Sequence, residues 1–173
     1  AVTSTARILG GDGGNARPTG SAPLAGNGGQ GGAGVFLLGA NASHIEAGQH
    51  AGGVFANHGE VRGGSGGTRV NGLAGSGGHG VLANNAVIDN FTTGTIHGGS
   101  GNNGGNGMYA HSYPTFATEI KNDGSISGGD ANGAGGLGGH GILLTGDNGK
   151  IHNTAHGGGG TNDLTLDANA GES

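Results

Sequence analysis

A two-part motif recurs along this chain and limits its fold more than any other feature. The first half ends in aliphatic-x-Gly-Gly, at Ile8 to Gly11, Val61 to Gly64, Ile96 to Gly99 and Ile126 to Gly129. The second is Gly-Gly-x-Gly followed by an apolar residue, at Gly31 to Val35, Gly77 to Val81, Gly104 to Met108 and Gly138 to Ile142. Repetition of such a pair, with only the spacer changing, marks a repeat architecture.

Between the two halves run short segments that read G-[VIM]-x-[AL], then x-I-x-N, then G-x-I-x-G-G. The clearest copy joins Thr118-Glu119-Ile120-Lys121-Asn122 to Gly124-Ser125-Ile126-Ser127-Gly128-Gly129. Alternating β-branched residues bounded by Asn or Gly predict strands of three to five residues. No window carries the 3.6-residue period of a helix. Apolar anchors at Val35, Val54, Val81, Met108 and Ile142 set the size of a unit that suits one turn of a parallel β-solenoid. In such a solenoid corresponding strands stack about 4.8 Å apart and like residues form columns. The expected inward columns are Val35, Ile45, Val54, Val61, Val81, Ile88, Ile96, Met108, Ile120, Ile126, Ile142 and Ile151.

Composition sharpens this picture. Glycine supplies 48 of 173 residues and proline 3, which excludes collagen. With aromatic residues at 3% and no Trp, any core is thin and backbone hydrogen bonding carries much of the structure. The glycines have their own order, at intervals of three in Gly28, Gly31 and Gly34, in Gly72, Gly75 and Gly78, in Gly98, Gly101, Gly104 and Gly107, and in Gly135, Gly138 and Gly141. A period of three without proline points to polyproline-II-like geometry, here polyglycine-II helices packed side by side. The chain therefore reads as all-β, a right-handed parallel β-solenoid with long glycine loops. It forms one repeat domain, with residues 1–34 a strand and a Gly/Pro loop, 35–156 the repeats, and 157–173 a terminal turn and strand.

Several functions are excluded or disfavoured. Cysteine is absent, so there is neither a disulfide framework nor thiolate chemistry. Six basic residues scattered among eleven acids form no patch for nucleic acid. No apolar run approaches the roughly 18 residues of a membrane span. The nine histidines lack the convergent spacing of a metal site. Gly157 to Leu164 approaches a calcium-binding nonapeptide, but Asn162 stands where aspartate is required, and only Asn162 and Asp163 would be ligands. No metal or other cofactor is expected. Asp89, Glu119, Asp123, Asp130 and Asp147 are too scattered to predict an acid/base pair, and the exposed aromatic candidates for a sugar platform are Tyr109 and Tyr113.

The stretch Ile120 to Gly129, and more loosely Ile88 to Gly99, resembles the coils of bacterial autotransporter passengers and filamentous-haemagglutinin-like adhesins. The glycine loops also resemble the polyglycine bundles of phage tail-tip adhesins. The first resemblance implies a secreted or surface-exposed bacterial protein. The leading expectation is a non-enzymatic adhesin stalk segment or self-associating fibre subunit, with a host-surface or glycan ligand. The start Ala1-Val2-Thr3-Ser4 suits a mature secreted chain. The alternative is a carbohydrate-active β-helix enzyme or a phage receptor-binding tip. Unpaired strand edges at Val2 and Ile8 on one side, and at Leu164 and Leu166 on the other, predict head-to-tail self-association.

Overall fold

The computed structural model describes residues 2–15, 27–38, 53–69, 73–113, 117–154 and 164–167. Among them there is no helix. Fourteen short strands make three parallel sheets. They are β1 Val2–Ser4, β2 Arg7–Leu9, β3 Val35–Leu38, β4 Val54–Asn57, β5 Glu60–Arg62, β6 Val81–Asn84, β7 Val87–Asn90, β8 Thr95–His97, β9 Met108–Ser112, β10 Glu119–Asn122, β11 Ser125–Ser127, β12 Ile142–Gly146, β13 Lys150–Asn153 and β14 Leu164–Asp167. Sheet I runs β1-β4-β7-β10-β13, sheet II β2-β5-β8-β11, and sheet III β3-β6-β9-β12-β14. The chain visits the three sheets in turn, so each of the first four passages lays one strand on each sheet, and the last described passage adds β13 to sheet I and β14 to sheet III. This arrangement is compatible with a β-solenoid.

The register explains why these short segments are strands at all. A three-residue strand cannot stand alone, but each pairs with one or two neighbours of the same sequence type. In sheet I, Phe55, Ile88, Ile120 and Ile151 are successive partners. In sheet II the partners are Ile8, Val61, Ile96 and Ile126, and in sheet III Val35, Val81, Met108, Ile142 and Leu164. Phe55, Val61, Val81, Ile88, Ile96, Met108 and Ile120 are fully buried, and Ile126, Ile142 and Leu144 nearly so, while Ile8, Val35, Leu37 and Ile151 pack partly buried against them. Burying side chains of this size contributes roughly 1.5–3 kcal/mol each.

Two sequence expectations need correction. Val54 is not the counterpart of Val35 and Val81. It pairs with Val87 in sheet I and is only half-buried, while its neighbour Phe55 enters the core beside Ile88. Two adjacent apolar residues leave a strand's phase ambiguous, and a slip of one residue exchanges core for surface. Residues 2–15 are also not outside the repeats. β1 pairs with β4 and β2 with β5 in full register, so this stretch begins the first passage. Ile45 lies outside the described residues, as do Asn162, Asp163, His44, His50 and His156.

At the corner between sheets I and II the final residues of β4, β7, β10 and β13 form a second kind of column. Asn57 donates through Nδ2 to Asn90 Oδ1 at 2.9 Å, Asn90 to Asn122 at 2.7 Å, and Asn122 to Asn153 at 3.0 Å. Asn57, Asn90 and Asn122 are buried. The second Nδ2 hydrogen turns to the corner backbone, Gly59 and Thr95 carbonyls for Asn57, and Gly94 and Ser125 for Asn90. Asn90→Ala orphans an amide donor of Asn57 and an acceptor of Asn122, each worth about 1–3 kcal/mol when buried. The expected loss is about 2–4 kcal/mol, read from the midpoint of chemical denaturation; an unchanged midpoint would show that the ladder carries no stability.

Between sheets II and III the backbone leaves through one glycine segment and returns through another. The outgoing segments bond one another, Gly10 N–H to Arg62 O at 2.8 Å, Gly63 to His97 at 2.9 Å and Gly98 to Ser127 at 2.9 Å. One triplet further out, Gly13 donates to Ser65, Gly66 to Ser100 and Gly101 to Asp130. The returning segments repeat this, with Gly31 to Ser76, Gly77 to Asn103 and Gly104 to Leu137. The middle glycines of the triplets sew the two stacks together in an unbroken zigzag: Gly32 to Gly11, Gly64 to Gly32, Gly78 to Gly64, Gly99 to Gly78, Gly105 to Gly99, Gly129 to Gly105 and Gly139 to Gly129. These carbonyl and amide bonds between segments satisfy backbone that belongs to no strand.

Candidate interaction surfaces

In most of the glycine triplets the third residue is the one that carries a side chain. Its amide, left over by the zigzag, is in several places capped by the same position of the preceding passage. Asp12 Oδ1 accepts Ser65 N–H at 2.7 Å, Asn15 accepts Thr68 at 2.9 Å, Asn27 accepts Leu73 at 3.0 Å and Asn103 accepts Leu137 at 3.1 Å. His79, Asn106 and His140 form one such column: Asn106 N–H donates to His79 Nδ1 at 3.0 Å, and His140 N–H to Asn106 Oδ1 at 2.9 Å. The two Gly-Gly-His-Gly histidines are thus spaced by an asparagine, and the backbone amides of Asn106 and His140 are each met by the side chain of the preceding passage.

Burial holds the His79 imidazole below its ordinary pKa of 6.5. Its ring stacks on Tyr109 at a centroid distance of 5.3 Å. A lowered folded value means that the unfolded chain takes the proton first. Stability at this site is therefore complete above the unfolded value, is lost as pH falls through 6.5, and levels off below the folded value. His79→Asn keeps an acceptor, as Asn106 does in the next passage, and removes the titration. The expected result is a smaller loss of melting temperature between neutral and mildly acidic buffer in the variant than in the parent. Equal losses would place the acid sensitivity elsewhere.

A shallow polar groove of about 430 Å³ lies where sheet II continues into the outgoing glycines, lined by Glu60, Arg62, His97, Ser100, Ser127 and Asp130. His97 Nδ1 meets Ser127 Oγ at 2.6 Å. A hydroxyl and an imidazole at this distance are the first two members of a nucleophile pair. However, Glu60, on the adjacent strand β5, is held by Arg7 at 2.7 Å. The same contact recurs in sheet III, where His111 Nδ1 meets Thr145 Oγ1 at 2.9 Å. Its recurrence at stacked positions makes it a feature of the register, a cross-strand bond between neighbours.

The outer face of sheet III carries an apolar row, Phe36, Leu82, Tyr109 and Leu143, each the register partner of the next. Phe36 is 56% exposed. Among the described residues, no group of three His, Asp or Glu could hold a metal ion, and no helix is long and apolar enough to cross a membrane.

The structure gathers acids that the sequence scatters. Asp89 and Asp123 come to the same corner, beside Lys121 and Phe91. Phe91 was not among the aromatic candidates read from the sequence. The signal for it is its place directly after the ladder residue Asn90, where the other passages carry His58, Asp123 and Thr154.

Comparison with known proteins gives no bridge to a function: no family model, curated protein or solved structure matches the chain.

Proposed function

We propose that this chain is a non-enzymatic structural and adhesive protein of a bacterial surface, an extracellular stalk segment or self-associating fibre subunit. In this reading the body is a right-handed β-solenoid whose glycine segments are polyglycine-II helices packed laterally. The observation that carries it is the continuity of one register through sheets, asparagine column and glycine zigzag. Such bonding makes a rigid body of repeating cross-section, whose outer faces combine polar side chains with an apolar row on sheet III. Shape and surface are what such a body offers. The edge strands β1, β2 and β3 on one side, and β13, β11 and β14 on the other, are the surfaces through which copies would add head to tail.

Negative-stain imaging and sedimentation of the purified chain test this. Rods or filaments whose length grows with concentration support the fibre form. Uniform rigid monomers that adhere to host-cell or glycan-coated surfaces support the stalk form. Compact monomers that neither associate nor adhere would overturn both.

A further inference from the structure

We infer that the corner after β7 is a binding site for one pyranose ring of a glycan, an inference that rests on the adhesive reading and gives it a ligand. A cavity of about 180 Å³ opens there, lined by Asp89, Asn90, Phe91, Lys121 and Asp123. Its origin lies in the length of the turn. Two residues join β4 to β5 and β10 to β11, whereas Phe91 to Gly94 join β7 to β8. The lengthened turn sets an aromatic ring at a corner where the neighbouring passages hold a polar residue. His58 stacks on that ring, with centroids 4.1 Å apart and planes inclined by 10°. Phe91 stays 37% exposed, with Asp123 following it in the next passage.

The polar wall is equally specific. Asp89 Oδ1 is buried and makes no hydrogen bond. The register explains why. On one side Asp89 faces Ala56, which has no donor, and on the other Lys121, whose ammonium is drawn to Glu119 at 3.4 Å. A buried carboxylate oxygen without a donor is costly; Asp89 as a whole is only half-buried, and a turn of its carboxylate toward a ligand hydroxyl would remove that cost. The cavity thus joins an apolar ring face to two carboxylates and an ammonium. A sugar ring presents the matching chemistry: a face of C–H groups to lie on Phe91, and hydroxyls to donate to Asp89 and Asp123 and accept from Lys121. Lys121 disfavours a cationic ligand, which two acids and an aromatic face would otherwise attract.

The test titrates the isotope-labelled intact chain with methyl glycosides of glucose, galactose, mannose and N-acetylglucosamine, following backbone amides by NMR. At least one sugar is expected to shift the amides of Asp89, Phe91, Lys121 and Asp123, with a Kd on the order of 1 mM. Phe91→Ala should weaken that binding about tenfold, and Phe91→Tyr should retain it. If Phe91→Ala disturbs the fold, Asp89→Ala gives the same reading, since alanine already occupies that register position at Ala56. Absence of shifts with every sugar would overturn the site and leave the scaffold reading intact. Shifts with tetramethylammonium but none with sugars would overturn it in favour of a cation site. Sugar binding accompanied by cleavage of an oligosaccharide would uphold the site and remove the non-enzymatic reading.

Discussion

Gly99→Ala is expected to collapse the glycine zigzag and lower stability by about 3 kcal/mol or more. Gly99 is buried at the centre of the zigzag, donating to Gly78 and accepting from Gly105. A methyl group there would overlap the carbonyl oxygen of Gly64. The obstacle is backbone held by its own hydrogen bonds, so no side chain can rotate away. Relief requires the stacks to separate, which breaks amide bonds on both sides. The matched control is Gly14→Ala, in the same kind of segment, where an added methyl meets nothing within 4 Å. That change should be neutral or add a few tenths of a kcal/mol by restricting the unfolded chain. Thermal melts of the two variants decide the matter. Similar melting temperatures would mean that the glycine segments contribute no cooperative structure.

Ile96→Asp should abolish folding outright. Ile96 is fully buried between Val61 and Ile126 in the middle of sheet II. The substitution removes about 1.5–3 kcal/mol of apolar burial and buries a carboxylate with no cation beside it. The two together exceed about 4–5 kcal/mol, comparable with the whole stability of many domains. Ser125→Asp, on an exposed position of the adjacent strand β11, places the same charge in water and should leave the melt within about 0.5 kcal/mol. A folded Ile96→Asp chain with native circular dichroism would refute the register of sheet II.

Much of the fold was legible because the columns rest on the period of two that the sequence displays openly. Ile120-Lys121-Asn122 and Ile88-Asp89-Asn90 announce an inward, outward, inward pattern, and both lie in sheet I in that order. Phe55-Ala56-Asn57 obeys the same pattern. Its asparagine, read as the ladder residue, would have put Phe55 inside and Val54 half out. The glycine before Val54 matches the setting of Val35 and Val81, but the asparagine after it fixes the phase. The corner site was harder to see. Asp89 and Asp123 are neighbours only through stacking, and Phe91 gains its role from a turn two residues longer than its counterparts. Sequence periodicity describes what repeats, and this site is made where the repeat is broken.

The glycine triplets have an evolutionary corollary. Passages are fastened to one another there chiefly by peptide groups, with side-chain acceptors such as Asp12 and Asn103 capping some of the remaining amides, so the one substituted position in three is relieved of any duty in the core. Asp12, Ser65, Ser100 and Asp130 occupy equivalent posts on neighbouring passages, yet differ in charge and size. Such a surface behaves as a typesetter's tray of fixed pitch, in which each character can be exchanged without recasting the frame. Selection can rewrite what the face displays, residue by residue, while the architecture beneath stays the same.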